Sequence, residues 1–286
     1  MYAGVLGDGS RVAVHKVHCE SEREVIYVLS LVEILSAIRH KNLAHLLGCC
    51  IDNGSGYSYT ALVVYEYPAN GTLEKHLHHQ DRGQLVGHGL DLYKRMNIAA
   101  EIAAVLAFLQ YDISPPIFHN DLQSGCIFLD EDFSAKISGF ALLPHHSSNS
   151  SPGAGGRNIC TSDVCSLGMV ILEIIIGAKP SDIPTTALQK IRSGKLEEIV
   201  DPLLYYHEQP PFRREQIEIL ADLATRCLLF GVDGKLGIID VARELMHMTK
   251  DSMDGGSRRE PALEETFSNS SLLQMISMSP DSLYVP

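Results

Sequence analysis

The segment PIFHNDLQSGCIFLD, at residues 116–130, decides how this chain is interpreted, together with AKISGFALL at residues 135–143. CIFLD and AKIS each favour a short strand, because their apolar residues are bounded by polar and turn-forming neighbours. Pro115 and Pro116 favour the end of any preceding helix, since proline biases the residue before it away from helical backbone. A polar loop between a helix and two short strands is therefore the first candidate for a functional site.

The first 67 residues predict a small sheet that carries one helix. The turn at residues 7–9 separates two apolar runs and is a hairpin signal. Ser21, with a glutamate three residues later, is typical of a capping box, and apolar residues then recur at spacings of three and four up to Ile38. Two further strand patterns, HLLGCCI and TALVVYEY, flank a turn at residues 52–56.

Helical patterns dominate the rest of the chain, which makes the predicted fold class α+β. The segment GTLEKHLHH predicts a short helix, and residues 92–111 predict a long buried one. Further helices are predicted at residues 162–176, 185–193, 214–229 and 238–248. Residues 251–286 are rich in Ser, Glu, Gly, Asp and Pro, which predicts a flexible tail.

Composition excludes several classes of partner. The formal net charge of −12 argues against nucleic acid and against an anionic membrane surface, because both need a basic footprint. We therefore expect no nucleic-acid partner and no membrane contact by this chain itself. No run of 18 apolar residues occurs, so no membrane span is expected.

The cysteines and histidines predict neither a disulfide framework nor a metal site. Seven cysteines, without a CxxC pair, favour reduced thiols and a cytoplasmic location. The HLHH segment at residues 76–79 has no supporting cysteine or carboxylate cluster, so we expect no metal there.

Five motifs, in order, resemble the protein kinase family, and they are closest to plant receptor-like kinases of the wall-associated type. They are VAVHKV, IRHKNLAHLLGCCID with ALVVYEYPANGTLEKHL, PPIFHNDLQSGCIFLDEDFSAKISGFAL, SDVCSLGMVILEIIIGAKP and CLLFGVDGKLGIIDVARELMHM. The resemblance covers about residues 2–250. It implies a bilobal protein kinase-like fold: a small, truncated N-terminal β lobe with one helix at residues 1–67, and a larger, mainly helical C-terminal lobe at residues 68–250. The family's glycine-rich phosphate loop has no counterpart after Met1, so we expect its phosphate-covering amides to be lacking.

The same resemblance indicates that the ATP-holding ion pair is lost. The lysine of the family's VAIK strand falls on His15, which is mostly neutral at pH 7. Lys16 is adjacent but should point to the opposite face of the strand, unless the register slips. The partner glutamate falls on Leu31, and Glu33 should face away, about 200° around the helix.

The resemblance also indicates that the metal ligands are lost while one catalytic group remains. Asp121 matches the catalytic base, which we interpret as vestigial. Gln123 replaces the lysine that contacts the moving phosphate. Cys126 and Gly139 replace the two magnesium ligands, and neither supplies the oxygen that Mg²⁺ prefers. Magnesium binding is therefore not expected.

Residues with a structural role are retained. Leu35, His119 and Phe140 are expected to stack between the lobes, anchored by Asp163.

The hinge, Tyr65-Glu66-Tyr67, keeps backbone groups that adenine would use. ATP binding without catalysis therefore stays an alternative, and no cofactor is required.

Three hypotheses follow. The first is a pseudokinase that signals by binding protein partners, among them an active receptor kinase. The second is a residually active serine/threonine kinase that uses Lys16. The third is a decayed or truncated gene product. The expected location is the cytoplasm, or the cytoplasmic face of the plasma membrane if the full-length product carries a transmembrane segment.

Overall fold

The computed structural model of the chain describes residues 1–53, 58–78, 90–143, 162–178, 185–204, 211–231 and 234–254. Its N-terminal part is a four-stranded antiparallel sheet in the order β1-β2-β4-β3, with one helix packed against it. The bounds are β1 Tyr2–Val5, β2 Arg11–Cys19, α1 Glu22–Ala37, β3 Leu46–Asn53 and β4 Tyr59–Glu66. The predicted small sheet with one helix is confirmed.

Local sequence signals explain how this part begins. The first hairpin closes with a hydrogen bond from the Leu6 N–H to the Ser10 carbonyl at 2.8 Å, and Gly9 takes the left-handed backbone (φ 88°) that glycine permits. Helix α1 starts at the predicted cap, where Ser21 Oγ accepts from the Glu24 N–H at 3.4 Å. Glu24 Oε2 accepts from the N–H of Glu20, one residue before the cap, at 2.7 Å, which is a variant of the predicted capping box.

The C-terminal part is mainly helical, with one two-stranded sheet. Its elements are α2 Leu73–Leu77, α3 Leu92–Tyr111, a 3-10 helix Ser124–Cys126, β5 Ile127–Leu129, β6 Ala135–Ile137, α4 Asp163–Ile176, α5 Thr185–Arg192, two 3-10 helices Leu196–Glu198 and Pro202–Leu204, α6 Pro211–Phe230 and α7 Ile238–Asp254. The predicted α+β class and bilobal plan are confirmed.

Two predicted boundaries are wrong. Helix α6 begins at Pro211 rather than at residue 214, because proline fits the first helical turn, where its missing N–H costs nothing. Helix α7 continues to Asp254, beyond the predicted start of the tail at 251, because no helix-breaking residue comes before the glycines at 255 and 256. The rest of the predicted tail lies outside the described residues, as does His79.

A buried ion pair ties α3 to the segment after α4. Arg95, which is fully buried, donates to Asp201 Oδ2 at 2.6 Å, to the Ile174 carbonyl at 2.6 Å and to the Leu90 carbonyl at 2.8 Å. These acceptors compensate the guanidinium for its lost hydration. The charge of Arg95 therefore serves to hold the helical part together and is not available to a ligand.

The segment between α1 and β3 joins the sheet to the helical part. Asn42, buried to 1% exposure, donates through Nδ2 to the Ala135 carbonyl at 2.8 Å. The Ile137 N–H donates to the Asn42 carbonyl, and the Ala44 N–H donates to the Ile137 carbonyl, both at 2.9 Å. His40 stacks on Phe108 of α3 with ring centroids 4.8 Å apart. The two parts therefore meet through a short stretch of sheet-like pairing.

In the described residues, no helix is both long and apolar enough to cross a membrane. Five thiols are free, at Cys19, Cys49, Cys50, Cys126 and Cys227. Cys165 is disulfide-bonded, so the prediction of reduced thiols is wrong at that residue; pairing depends on distance in space, which spacing along the chain does not give.

Candidate functional site

The predicted catalytic loop lies between the end of α3 and β5. Asp121 and Gln123 are exposed, whereas Leu122 between them is buried at 6% exposure. The extended backbone at Gln123 (φ −152°) sends successive side chains to opposite sides. Leu122 therefore anchors the loop while its two polar neighbours face the solvent.

His119 holds this loop in place. Its backbone N–H donates to Asp163 Oδ2 at 2.9 Å, and its Nε2 lies 2.9 Å from the Ser138 carbonyl oxygen. Nδ1 accepts from the Asp121 N–H at 3.3 Å, which places the ring proton on Nε2. Burial lowers the pKa of His119, and the carboxylate of Asp163 opposes this only in part. The ring is thus a neutral structural link.

The predicted stacking is present between His119 and Phe140, whereas the part of Leu35 in it stays a prediction. The His119 ring lies parallel to that of Phe140, with centroids 4.5 Å apart and an angle of 27°. Phe140 is 1% exposed and Leu35 is 4% exposed. Asp163, at the start of α4, anchors the stack through His119, as expected from the sequence.

Cys126 occupies the floor of the loop as a neutral thiol. Its Sγ lies 3.7 Å from the Asp121 carbonyl oxygen. Burial raises its pKa to about 12, and the charge of Asp121 acts in the same direction. Since the thiolate is the nucleophile, this burial disfavours a nucleophilic role for Cys126.

Gly139 follows β6 in a left-handed conformation, with φ 73°. A Cβ atom added there would lie 2.9 Å from Cys126 Sγ and 3.4 Å from Cys126 Cβ. The backbone thus disfavours any side chain, and the space that a side chain would need is already taken by the cysteine.

His15 and Lys16 lie on opposite faces of β2, as predicted. His15 pairs with Val63 and is half-buried, while Lys16 pairs with Leu62 and is exposed. Burial lowers the pKa of His15 to about 4, and its Nδ1 has no hydrogen-bond partner among the described residues. Neither residue brings a positive charge to the inner face of the sheet.

Helix α1 likewise brings no carboxylate to that face. Leu31 is half-buried and packs against the core, and Glu33 is exposed. The prediction that Glu33 faces away is confirmed.

The hinge offers fewer backbone groups than its sequence suggested. The Glu66 N–H already donates to the His45 carbonyl at 3.0 Å. Pro68 follows two residues later and has no N–H, and its carbonyl accepts from the Gly71 N–H at 3.2 Å. Sequence analysis missed this restriction, although the proline in YEYPANG signals it directly.

Tyr65, at the end of β4, is buried to 2% exposure. Its hydroxyl makes no hydrogen bond of normal geometry among the described residues. Burial raises its pKa, although the backbone of Gly139 is close enough to oppose the rise in part. The hydroxyl is therefore left without a hydrogen-bond partner among the described residues.

A cavity of about 250 Å³ lies between the sheet and the loop. Among the predicted site residues, Tyr67, Gln123 and Cys126 line it. Its charged lining residues are Glu74 and Lys75 of α2, which sequence analysis did not select because nothing in their spacing marks them. One carboxylate and one ammonium leave the lining without the net positive charge that a triphosphate favours.

Residues 4–160 match the family model described as protein tyrosine and serine/threonine kinase. The chain belongs to the protein kinase family.

Curated relatives of this protein kinase family member include plant receptor-like kinases. One, from Arabidopsis thaliana, is named "Probably inactive receptor-like protein kinase" and is 50% identical over 288 residues, covering 100% of this chain and 42% of that protein. Another, Wall-associated receptor kinase-like 14 of Arabidopsis thaliana, is 34% identical over 270 residues, covering 86% of this chain and 37% of that protein. The chain therefore spans about two fifths of the length of these relatives.

Solved structures similar to this kinase-family chain include two pseudokinases. The pseudokinase domain of BIR2, an immune regulator of the RLK/Pelle family, is 28% identical with a TM-score of 0.65, and the match covers 88% of this chain and 78% of that chain. The pseudokinase DRIK1, bound to ENMD-2076, is 26% identical with a TM-score of 0.63, and the match covers 87% and 86%.

The site of this kinase-family chain has no cation or metal ligand at the positions where the resemblance expects the groups that promote phosphoryl transfer. That reaction depends on metal ions and cations that position the phosphates and neutralise their charge. At the positions predicted for these groups stand a neutral imidazole, a neutral thiol and a glycine. No group of three or more His, Cys, Asp or Glu side chains in the described part of the chain could hold a metal ion.

Proposed function

We propose that this chain is the kinase-like domain of a receptor-like kinase that does not transfer phosphate and that signals by binding other proteins. The observation that carries the proposal is the pair Cys126 and Gly139, which stand where the resemblance expects the two magnesium ligands: a Cβ atom added at Gly139 would lie 2.9 Å from Cys126 Sγ, so a carboxylate side chain does not fit there. The inactive receptor-like kinase and the pseudokinases among its relatives support it.

The size of the effect favours inactivity over residual activity. Losing one preorganised electrostatic contact typically lowers a rate by about 10²–10³. Several such contacts are lost here, so even with strong non-additivity turnover would fall far below the roughly 1–100 s⁻¹ typical of kinases. The exposed position of Lys16 argues against the form of the residually active alternative in which this lysine holds ATP.

A protein partner is the class of ligand that this surface fits best, and an active receptor kinase is the partner we propose. Helix α1 leaves four large apolar side chains in solvent: Ile26, Tyr27, Leu29 and Ile34. Exposed apolar surface of this kind is typical of protein contacts. As part of a longer receptor-like protein, the domain would work at the cytoplasmic face of the plasma membrane.

Phosphotransfer on a generic acceptor protein, with ATP and Mg²⁺, tests the proposal. We expect the chain and its Asp121→Asn variant to give the same background signal, because Gln123, Cys126 and Gly139 stand where the resemblance expects the phosphate-contacting lysine and the two magnesium ligands. Mg²⁺-dependent transfer that disappears in Asp121→Asn would overturn the proposal.

The proposed function requires no nucleotide. A thermal-shift titration with ATP, with and without Mg²⁺, separates the remaining options. A stabilisation by ATP that does not depend on Mg²⁺ would indicate nucleotide binding without catalysis, whereas no shift would leave the domain independent of nucleotide.

A further inference from the structure

We propose that Cys126 and Gly139, at the two positions where the resemblance expects magnesium ligands, pack against each other. This contact (the packing joint) fixes residues 138–141 on the catalytic loop without metal or nucleotide. The surface that the domain shows to its partners would then be the same whether or not nucleotide is present. The proposal rests on the proposed function, which identifies Cys126 and Gly139 as vacated metal positions, and it adds how that site is held.

The first support is the fit between the two residues. The left-handed backbone of Gly139 directs its missing side chain at Cys126, whose Sγ would lie 2.9 Å from an added Cβ. Protein interiors are close-packed, so a side chain at one position must be balanced by lost volume at the other. The sulfur atom of Cys126 therefore occupies the space that Gly139 leaves free.

The second support is the set of hydrogen bonds around this contact. The Ser138 N–H and Oγ both donate to the Cys126 carbonyl, at 2.9 and 2.8 Å. The Ala141 N–H donates to the His119 carbonyl at 3.0 Å, and the Ser138 carbonyl lies 2.9 Å from His119 Nε2. Residues 138–141 are thus bonded to the loop on both sides of the contact.

The third support is burial. Ser138 is fully buried, and Phe140 is 1% exposed while its ring stacks on His119. Since a ligand shifts an equilibrium only through different affinities for two states, a segment held in one state by protein atoms gives nucleotide nothing to select.

A double-mutant cycle tests the packing joint. We expect Gly139→Ala to lower the folding equilibrium constant by roughly tenfold more in the presence of Cys126 than in the Cys126→Ala background, a coupling within the range for residues in contact. Gly9→Ala is the matched control, because Gly9 has φ 88° but no atom within 4 Å of an added Cβ; its loss should be the same in both backgrounds. Equal losses from Gly139→Ala in the two backgrounds would overturn the joint.

Hydrogen exchange on the unmutated chain tests whether residues 138–141 are fixed without nucleotide. This test remains valid even if a variant fails to fold. The amides of Ser138 and Ala141, which donate to the Cys126 and His119 carbonyls, should be protected without ligand, and their protection should not change with Mg²⁺ alone or with Mg²⁺ and ATP. Unprotected amides without ligand, or protection that appears only with ATP, would refute the proposal. Phosphotransfer by the unmutated chain would instead refute the proposed function and leave the measured coupling as it stands.

Discussion

At the scale of single residues, the site has lost charge but not order. His15, His119 and Cys126 are ionisable groups whose neutral forms are favoured by burial. A buried charge without a partner is costly, so neutral groups are the stable choice once the metal ions and their ligands are gone. His119 and Cys126 still pack and form hydrogen bonds within the loop, which explains why the loop keeps its shape.

The first prediction concerns pH and His15. Its pKa of about 4 lies below the ordinary 6.5, so the folded protein binds fewer protons than the unfolded chain between those values. The contribution to stability is therefore complete above about pH 6.5 and is lost as pH falls toward 4. We expect His15→Leu to weaken the decline of the free energy of unfolding over this window, measured by urea unfolding at several pH values.

His18→Leu is the control for that measurement, because His18 is exposed on the opposite face of the same strand. His40, whose pKa burial also lowers to about 4, should retain its own share of the decline. An unchanged pH profile in His15→Leu would contradict the assigned burial.

At the scale of elements, the end of helix α4 restricts which residue can occupy position 177. Helix α4 ends at Gly177, whose left-handed backbone (φ 71°) lets its N–H donate to the Glu173 carbonyl at 2.8 Å. An added Cβ at Gly177 would overlap the carboxylate of Asp201, which is the buried partner of Arg95. A glycine at a helix end thus protects an ion pair in the core.

The second prediction is that Gly177→Ala destabilises the chain far more than its backbone strain alone. A left-handed residue with a side chain costs about 1–2 kcal/mol, whereas disrupting a buried ion pair costs about 3–5 kcal/mol. Gly194→Ala is the matched control, because Gly194 has φ 69° and open space around it. Denaturant unfolding should show a clearly larger loss for Gly177→Ala, and equal losses would contradict the proposed overlap.

At the scale of the whole molecule, the sheet and the helices are joined near Asn42. The third prediction is that Asn42→Ala weakens this connection between the sheet and the helices. The change leaves the buried Ala135 carbonyl without its 2.8 Å hydrogen bond, which costs about 1–3 kcal/mol. Hydrogen exchange should quicken in residues 42–44 and in β6 before it quickens in α3 or α7. Asn53→Ala, at an exposed position, should change none of these rates.

Much of this organisation follows from local pattern. The capping box at Ser21, the glycine turn at Gly9 and the apolar spacing of α1 and α3 act over a few residues, so they could be predicted from the sequence. The predicted end of α7 is too early because the composition after residue 250 is polar, although the first helix-breaking residues in the sequence are the glycines at 255 and 256. The predicted domain limits and the roles of the site residues stay predictions.

The sequence alone determined which charged groups the site lacks, because a histidine, a glutamine, a cysteine and a glycine cannot regain them in any conformation. It also indicated, through ordered motifs, the fold that carries them. Only the tertiary structure decided how the gap is filled: that Cys126 packs against Gly139, that the Glu66 N–H is already bonded to the His45 carbonyl, and that Asn42 joins the two parts. The physical reason is that chemical identity belongs to a residue, whereas packing and hydrogen-bond satisfaction belong to pairs that are distant in the chain.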